Sequence, residues 1–191
     1  MPSEKLFTKG RNKMCNDELW TARDAQSSED EVGDFFYGLI RLIKPLTVIE
    51  TGCYLGDTTI KIAKALRDNG VGEMITCDTG SDQYAYTRDR ICKENLDDVC
   101  KVVFEKGVNI IKYGFKGKGI DFAFIDSGVN EVRKEEVVEL LKVLNPNGMF
   151  VIHDTAKHHQ SNNQKLVKSI KLPNLYFNTP RGLNLFGNYE N

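Results

Sequence analysis

Val48-Ile49-Glu50-Thr51-Gly52-Cys53-Tyr54-Leu55-Gly56-Asp57-Thr58-Thr59 begins as an apolar strand, meets a carboxylate, breaks into a glycine-bearing loop and resumes as a helix. Glycines let backbone approach a ligand closely, and a carboxylate at a strand's end can hold a polar ligand group. The stretch predicts a cradle for a small molecule.

Outward from this loop the pattern alternates. Short apolar runs predict strands over Leu46 to Glu50, Glu73 to Asp78, Lys101 to Glu105, Ile120 to Asp126 and Gly148 to His153. Helical periods separate them at about 57–68, 83–97, 107–113 and 130–144, the last closed by the turn Asn145-Pro146-Asn147-Gly148. Strands that are apolar throughout and alternate with helices indicate a parallel sheet covered on both faces, and right-handed crossovers make it doubly wound. After a helical stretch near 162–171, Leu175-Tyr176-Phe177 and Leu183-Asn184-Leu185-Phe186 are joined by too little chain for a crossover. They predict an antiparallel hairpin that completes a mostly parallel, seven-stranded, Rossmann-like α/β sheet. Upstream, Ser28-Glu29-Asp30-Glu31 fits a capping box, and Val32, Phe35, Phe36, Leu39, Ile40 and Ile43 follow at helical spacing until Pro45. Residues 1–27 are polar, with Leu6, Phe7, Leu19 and Trp20 as anchors, and read as a loose arm or lid before a single domain over 28–191.

The 191 residues suffice for one buried core without disulfide or metal staples. With 26 basic and 27 acidic side chains the formal net charge is -1, so no nucleic-acid or membrane partner is expected and a small or neutral one is favoured. Five cysteines, Cys15, Cys53, Cys77, Cys92 and Cys100, form no CxxC pair and read as reduced, buried thiols of a cytosolic protein. No apolar segment has the length of a signal peptide core or a membrane span, so a soluble, cytoplasmic protein is expected. Oligomeric state is not readable.

A dinucleotide fingerprint would need glycines where Tyr54 and Asp57 stand, and a carboxylate at 57 would repel a pyrophosphate at the helix N-terminus. Read instead as acidic-x-G-x-x-x-G, with Glu50, Gly52 and Gly56, the loop suits a ligand with an ammonium group and no phosphate. In this form it resembles motif I of class I S-adenosylmethionine-dependent methyltransferases, with Tyr54 at the middle glycine. The resemblance is nearest to the cephalosporin-hydroxylase-like and sugar O-methyltransferase branch, where the loop tends to read E-x-G-x-Y-x-G-x-S-T. Asp121-Phe122-Ala123-Phe124-Ile125-Asp126 resembles that family's fourth strand and Asn145-Pro146-Asn147-Gly148-Met149-Phe150-Val151-Ile152-His153-Asp154-Thr155 its fifth. Thr179-Pro180-Arg181-Gly182-Leu183 resembles its hairpin. The motifs keep their order from about residue 28 to 187.

The resemblance implies a cofactor set of Glu50, Gly52, Tyr54, Gly56, Thr58, Asp78, Thr79 and Asp126, with Glu50 holding the methionine amino group through water. Asp78 ends the second strand, where a carboxylate can accept both ribose hydroxyls. Where the family often shows G-D-S against adenine, this chain has Gly107-Val108-Asn109, which removes a polar contact from 108. Asp126 and Asp154 close the fourth and fifth strands and converge on the carboxyl edge, an arrangement that suits Mg²⁺. The usual D-G-D-H is replaced by Asp126-Ser127-Gly128-Val129, which removes the second acid and the histidine, so two readings stay open: Asp126 and Asp154 as ligands of Mg²⁺, or Asp126 only as a boundary of the cofactor pocket. His153 and Asp154 are the catalytic candidates: His153 could take a proton from a substrate hydroxyl, or else is a buried structural histidine, and strand alternation sends the two neighbours to opposite faces. Lys157, His158 and His159 read as solvated loop residues or acceptor contacts, and Lys112, Lys116 and Lys118 as a solvated turn.

The expected activity is methyl transfer from S-adenosylmethionine to an oxygen, or secondarily a nitrogen, of a small molecule or sugar. Two alternatives stay open: a cofactor-binding relative without catalysis, and a nicotinamide-dependent oxidoreductase.

Overall fold

The structure is a computed structural model in which residues 4–5, 19–128, 130–157 and 163–188 are described. Strands β1 (Thr47–Thr51), β2 (Glu73–Asp78), β3 (Cys100–Phe104), β4 (Ile120–Ile125), β5 (Leu144–His153), β6 (Asn174–Phe177) and β7 (Leu183–Gly187) form one sheet of seven. Helices α1 (Asp30–Ile43), α2 (Asp57–Asn69), α3 (Ser81–Lys93), α4 (Gly107–Tyr113), α5 (Asn130–Val143) and α6 (Gln164–Ser169) flank it. In these labels the strand order is β3-β2-β1-β4-β5-β7-β6. The first five strands pair in parallel, and β7 joins antiparallel to both β5 and β6, which makes the predicted hairpin.

Period-two alternation sorts the strand side chains into two cores. Val48, Met74, Phe122, Phe124 and Val151 pack with Phe36 and Ile40 of α1, Ala63 and Leu66 of α2 and Ile91 of α3. Ile49, Cys77, Ala123, Ile125, Phe150 and Ile152 pack on the other face with Ile110 of α4, Val137 and Leu140 of α5 and Leu166 of α6. Phe36 anchors the first core, its ring 4.6 Å from that of Phe124 and 5.8 Å from that of Phe122.

The order of connection reverses between β1 and β4: β2 and β3 extend the sheet to one side, while β4 and β5 extend it to the other. At such a switch point the loops leaving the strands diverge and leave a crevice at their carboxyl ends. Gly52 after β1 and Asp126 after β4 meet there. A Cβ on Gly52, which holds φ +79°, would lie 2.7 Å from the Asp126 carbonyl.

Three local expectations change. Cys92 is exposed, whereas Cys53, Cys77 and Cys100 are buried. Asn145-Pro146-Asn147-Gly148 is no turn before the strand but an irregularity inside β5, where pairing jumps from Ile120↔Leu144 to Phe122↔Met149. Three extra residues are accommodated because Asn147 adopts φ 62°, a left-handed conformation asparagine tolerates. The capping box at Ser28 does not form either: α1 has no side-chain cap. The Ser28 hydroxyl donates to Asp126 Oδ2, and the Glu31 carboxylate accepts from the backbone N–H and hydroxyl of Thr21.

Candidate active site

The cradle is built by the descent of β1 into α2. Gly52 and Cys53 both donate their N–H to the Cys77 carbonyl at 3.0 Å, which ties the loop to the end of β2. Tyr54 follows in the left-handed region at φ 45°; its N–H donates to Asp78 Oδ2 at 3.0 Å and its hydroxyl donates to Asp24 at 3.2 Å. Gly56, at φ +77°, opens α2 and leaves no room for a side chain, since a Cβ would meet Thr87 at 2.8 Å. Asp78 also accepts the Gly80 N–H on Oδ1, so its carboxylate is fixed at the crevice wall.

Glu50 lies buried beneath this loop. Its Oε2 accepts from the hydroxyls of Thr59 and Thr76, yet burial outweighs both bonds and pushes its pKa up to about 7. Glu50 and Thr58 line a small space with Gly52 and Tyr54, of about 20 Å³, which Gln26, Ser27 and Ser28 also border. A space of that size holds about one water. Beyond it opens a crevice of about 280 Å³, walled by Cys77, Asp78, Thr79, Glu105 and Gly107 on one side and by Asp126, Arg133, Asp154 and Arg181 on the other.

The segment carrying Gln26, Ser27 and Ser28 is fastened. Arg23 donates to both oxygens of Asp57 at 2.7 and 2.6 Å, and Arg90 donates to Asp57 Oδ1 at 2.6 Å. Asp57 is therefore neutralised by two guanidiniums, and the repulsion expected of it toward a phosphate does not hold. What separates this loop from a dinucleotide cradle is Tyr54. Residues 21–27 are likewise not loose: Ala22 and Ser27 are buried, and Asp24 accepts the backbone N–H of Gln26 and Ser27.

At the far wall six charged side chains interlock. His153 is fully enclosed, with Nε2 2.9 Å from Glu29 and Nδ1 3.1 Å from Asp126 Oδ2. Arg133 Nη2 donates to Asp126 Oδ1 at 2.9 Å and to Asp154 Oδ2 at 3.0 Å. Arg181 donates from Nε to Asp154 Oδ1 at 2.6 Å and from Nη2 to Oδ2 at 3.0 Å, while its Nη1 donates to the carbonyls of Gln26 and Ser27. Burial opposes charge on His153, but the carboxylates of Asp126, Asp154 and Glu29 prevail and push its pKa up to about 10. Burial likewise opposes charge on Glu29, and His153 brings it down to about 2. Against the same burial, His153, Arg181 and Arg133 hold Asp154 well below the usual carboxylate range.

Residues 49–155 match the family described as a methyltransferase domain. The chain belongs to that family. Similar solved structures cover most of it: an SAH-bound methyltransferase, PaMTH1, from Podospora anserina aligns at TM-score 0.71 and 17% identity over 87% of this chain and 81% of its own. An O-methyltransferase from Bacillus cereus in complex with SAH gives 0.70 and 16% over 86% and 83%. The O-methyltransferase TomG from Streptomyces achromogenes, involved in tomaymycin synthesis and solved with SAM, gives 0.68 and 15% over 84% and 80%. No curated protein matches the sequence significantly.

Within this methyltransferase domain, Glu50, Gly52, Tyr54, Gly56 and Thr58 lie together around the loop, and Asp78 and Thr79 stand across the crevice. Asp126 lines both cavities. Val108 is buried, so no polar side chain reaches the crevice from 108, whereas neighbouring Glu105 does line it. His153 and Asp154 were expected on opposite faces, but Asp154 leaves the strand at φ 60° and its side chain turns back toward His153, Nδ1 to Oδ1 3.8 Å. Both ring nitrogens of His153 face carboxylates and the ring has no open face, an arrangement that suits a structural histidine better than a proton acceptor. His158 and His159 lie outside the described residues; Lys157 is exposed. Lys118 pairs with Glu73 and Lys112 with Glu139, both at the surface.

The sequence gives Glu29, Arg133 and Glu136 no motif. The last two did leave a signal: Arg133, Glu136, Val137 and Leu140 are spaced as one helix face, and all four are buried. Two charges on a buried face announce internal partners.

Proposed function

We propose that the chain transfers a methyl group from S-adenosylmethionine to a hydroxyl oxygen of a small molecule or sugar. The observation that carries this reading is the divided crevice: a carboxylate, Glu50, beside a narrow space with room for about one bridging water, and a second, Asp78, fixed at the wall of the wider part. A sulfonium amino acid joined to a nucleoside matches that division, with its ammonium toward Glu50 and its ribose hydroxyls toward Asp78. In this reading Gly52, Tyr54, Gly56 and Thr58 form the floor under the cofactor, and Thr79 and Asp126 bound it. The solved relatives named with SAM or SAH support the choice of cofactor.

The cofactor arrives with its methyl group activated, so holding an acceptor oxygen in line behind it supplies most of the acceleration. The acceptor space is the Asp126–Asp154 end of the crevice. His153 cannot take the acceptor's proton while it holds its own. That enclosed imidazolium also favours a second reading, a domain that binds the cofactor without transferring its group. The test is SAH release in the presence of S-adenosylmethionine and panels of catechols, hydroxycinnamates and sugars, with mass spectrometry of the product. A methyl ether from one panel is the expected result; tight SAH binding with no product from any panel favours the second reading.

A further inference from the structure

We propose that Arg133 is the resident cation of the acceptor end, occupying from within the chain the place a divalent metal would take, and that the domain therefore excludes metal there. Asp126, His153 and Asp154 offer three ligand atoms within 4.8 Å of one another, a cluster whose spacing could hold an ion. The fit fails on inspection of each oxygen. Asp126 Oδ1 and Asp154 Oδ2 both accept from Arg133 Nη2, Asp154 Oδ1 accepts from Arg181 Nε, and Asp126 Oδ2 accepts from Ser28 and faces His153 Nδ1. All four carboxylate oxygens are engaged, so Mg²⁺, which needs oxygen ligands near 2.0–2.1 Å, would have to displace a guanidinium. Arginine keeps its charge at any ordinary pH, so the displaced group would stay beside the incoming ion and repel it.

Arg133 also does the mechanical work of such an ion. A metal held by Asp126 and Asp154 would tie the carboxyl ends of β4 and β5 together. From α5, Arg133 does this with the carboxylate bonds above and three to backbone: Nε to the Ser127 carbonyl at 2.6 Å, Nη1 to the His153 carbonyl at 2.7 Å and Nη2 to the Asp126 carbonyl at 3.2 Å. Its planar fork can satisfy several acceptors in fixed directions, which a lysine in the same place could not. Arg181 then seals the outer oxygens of Asp154 and binds the segment at Gln26.

The proposal rests on the methyl-transfer reading only for what this wall faces. Its test needs neither cofactor nor acceptor, so the two can fail separately. Mn²⁺ is titrated into the protein and the free ion followed by electron paramagnetic resonance. The wild type should leave the free-ion signal unchanged. Arg133→Met, which keeps volume but removes the charge, should take up a single ion with a Kd on the order of 10⁻³ M or tighter, and adding Asp126→Asn should abolish that uptake. Uptake by the wild type that disappears in Asp126→Asn would overturn the proposal. So would a folded Arg133→Met that takes up none, because Arg181, His153 or the geometry, and not the Arg133 guanidinium, would then be excluding metal. Should Arg133→Met fail to fold by circular dichroism, Arg133→Gln carries the variant arm, and uptake by the wild type overturns the proposal whatever the variants do.

Discussion

The cradle from Glu50 to Thr59 and the charged wall from Glu29 to Arg181 face each other across one crevice, yet they are specified in different ways. In the cradle, ten consecutive residues hold most of the determinants: a strand end, two glycines at positive φ and a helix start. In the wall, the partners come from separate places in the chain, and only His153 and Asp154 are adjacent. Glu29 meets His153 across 124 positions and the Arg181 backbone across 152. Local chemistry writes a motif into sequence; a network of distant charges does not, although it is the more heavily buried of the two.

The difference makes the wall the costlier region to break. Arg181→Met removes four hydrogen bonds at once, two to Asp154 and two to the Gln26 and Ser27 carbonyls, and leaves Asp154 buried with one fewer counter-charge, which should cost about 3–5 kcal/mol in denaturant unfolding. A loss below about 1 kcal/mol would mean the wall is not a cooperative unit. Gly52→Val attacks the cradle instead. Its Cβ would strike the Asp126 carbonyl and its φ suits only glycine, so cofactor affinity should fall at least about a hundredfold, equivalent to about 3 kcal/mol. Calorimetry on a variant that stays folded checks it, and unchanged affinity would remove Gly52 from the binding floor.

Glu136 joins the two regions, and its effect should be smaller. Its Oε2 accepts from Thr51 at 3.0 Å and from Ser127 at 2.6 Å, while burial pushes its pKa up to about 7 from 4.5. A carboxyl whose pKa is raised on folding supports the native state fully below pH 4.5, and that support is lost as pH rises through 7. Glu136→Gln should therefore be indistinguishable at pH 4.5 and gain relative stability by pH 8, by at most about 3 kcal/mol at about 1.4 per pKa unit. Thermal melts across that window decide; a gain at acid pH instead would reverse the sign. The smallest effect on stability belongs to Arg23→Ala. Its pair with Asp57 is only partly buried and worth about 1 kcal/mol or less. Because it fastens the segment bordering the Glu50 space, the variant should release cofactor severalfold faster in stopped-flow fluorescence of Trp20, the chain's single tryptophan. An unchanged release rate would show that this segment does not control exit.

The fold was legible because period-two and helical patterns are long and redundant. The limits of β2 and α4 coincide with the expected ranges, and the hairpin follows from a connection too short for anything else. The bulge in β5 escaped because Asn-Pro-Asn-Gly carries strong turn chemistry, and only pairing with β4 keeps those residues in the strand. Asp57 misled because its charge is visible in sequence while Arg23 and Arg90, 34 and 33 positions away, are not visible as its partners. Asp154 misled through its backbone: alternation holds only while φ stays extended, and at 60° the next side chain returns to the same side.

The most direct measurement is calorimetric titration of the protein with S-adenosylhomocysteine, repeated on Asp78→Ala and with a nicotinamide dinucleotide as the competing ligand. Binding of S-adenosylhomocysteine at a single site, weakened at least about tenfold by Asp78→Ala, and no heat from the dinucleotide is the expected result. Heat from the dinucleotide and none from S-adenosylhomocysteine would contradict the assignment of the cradle.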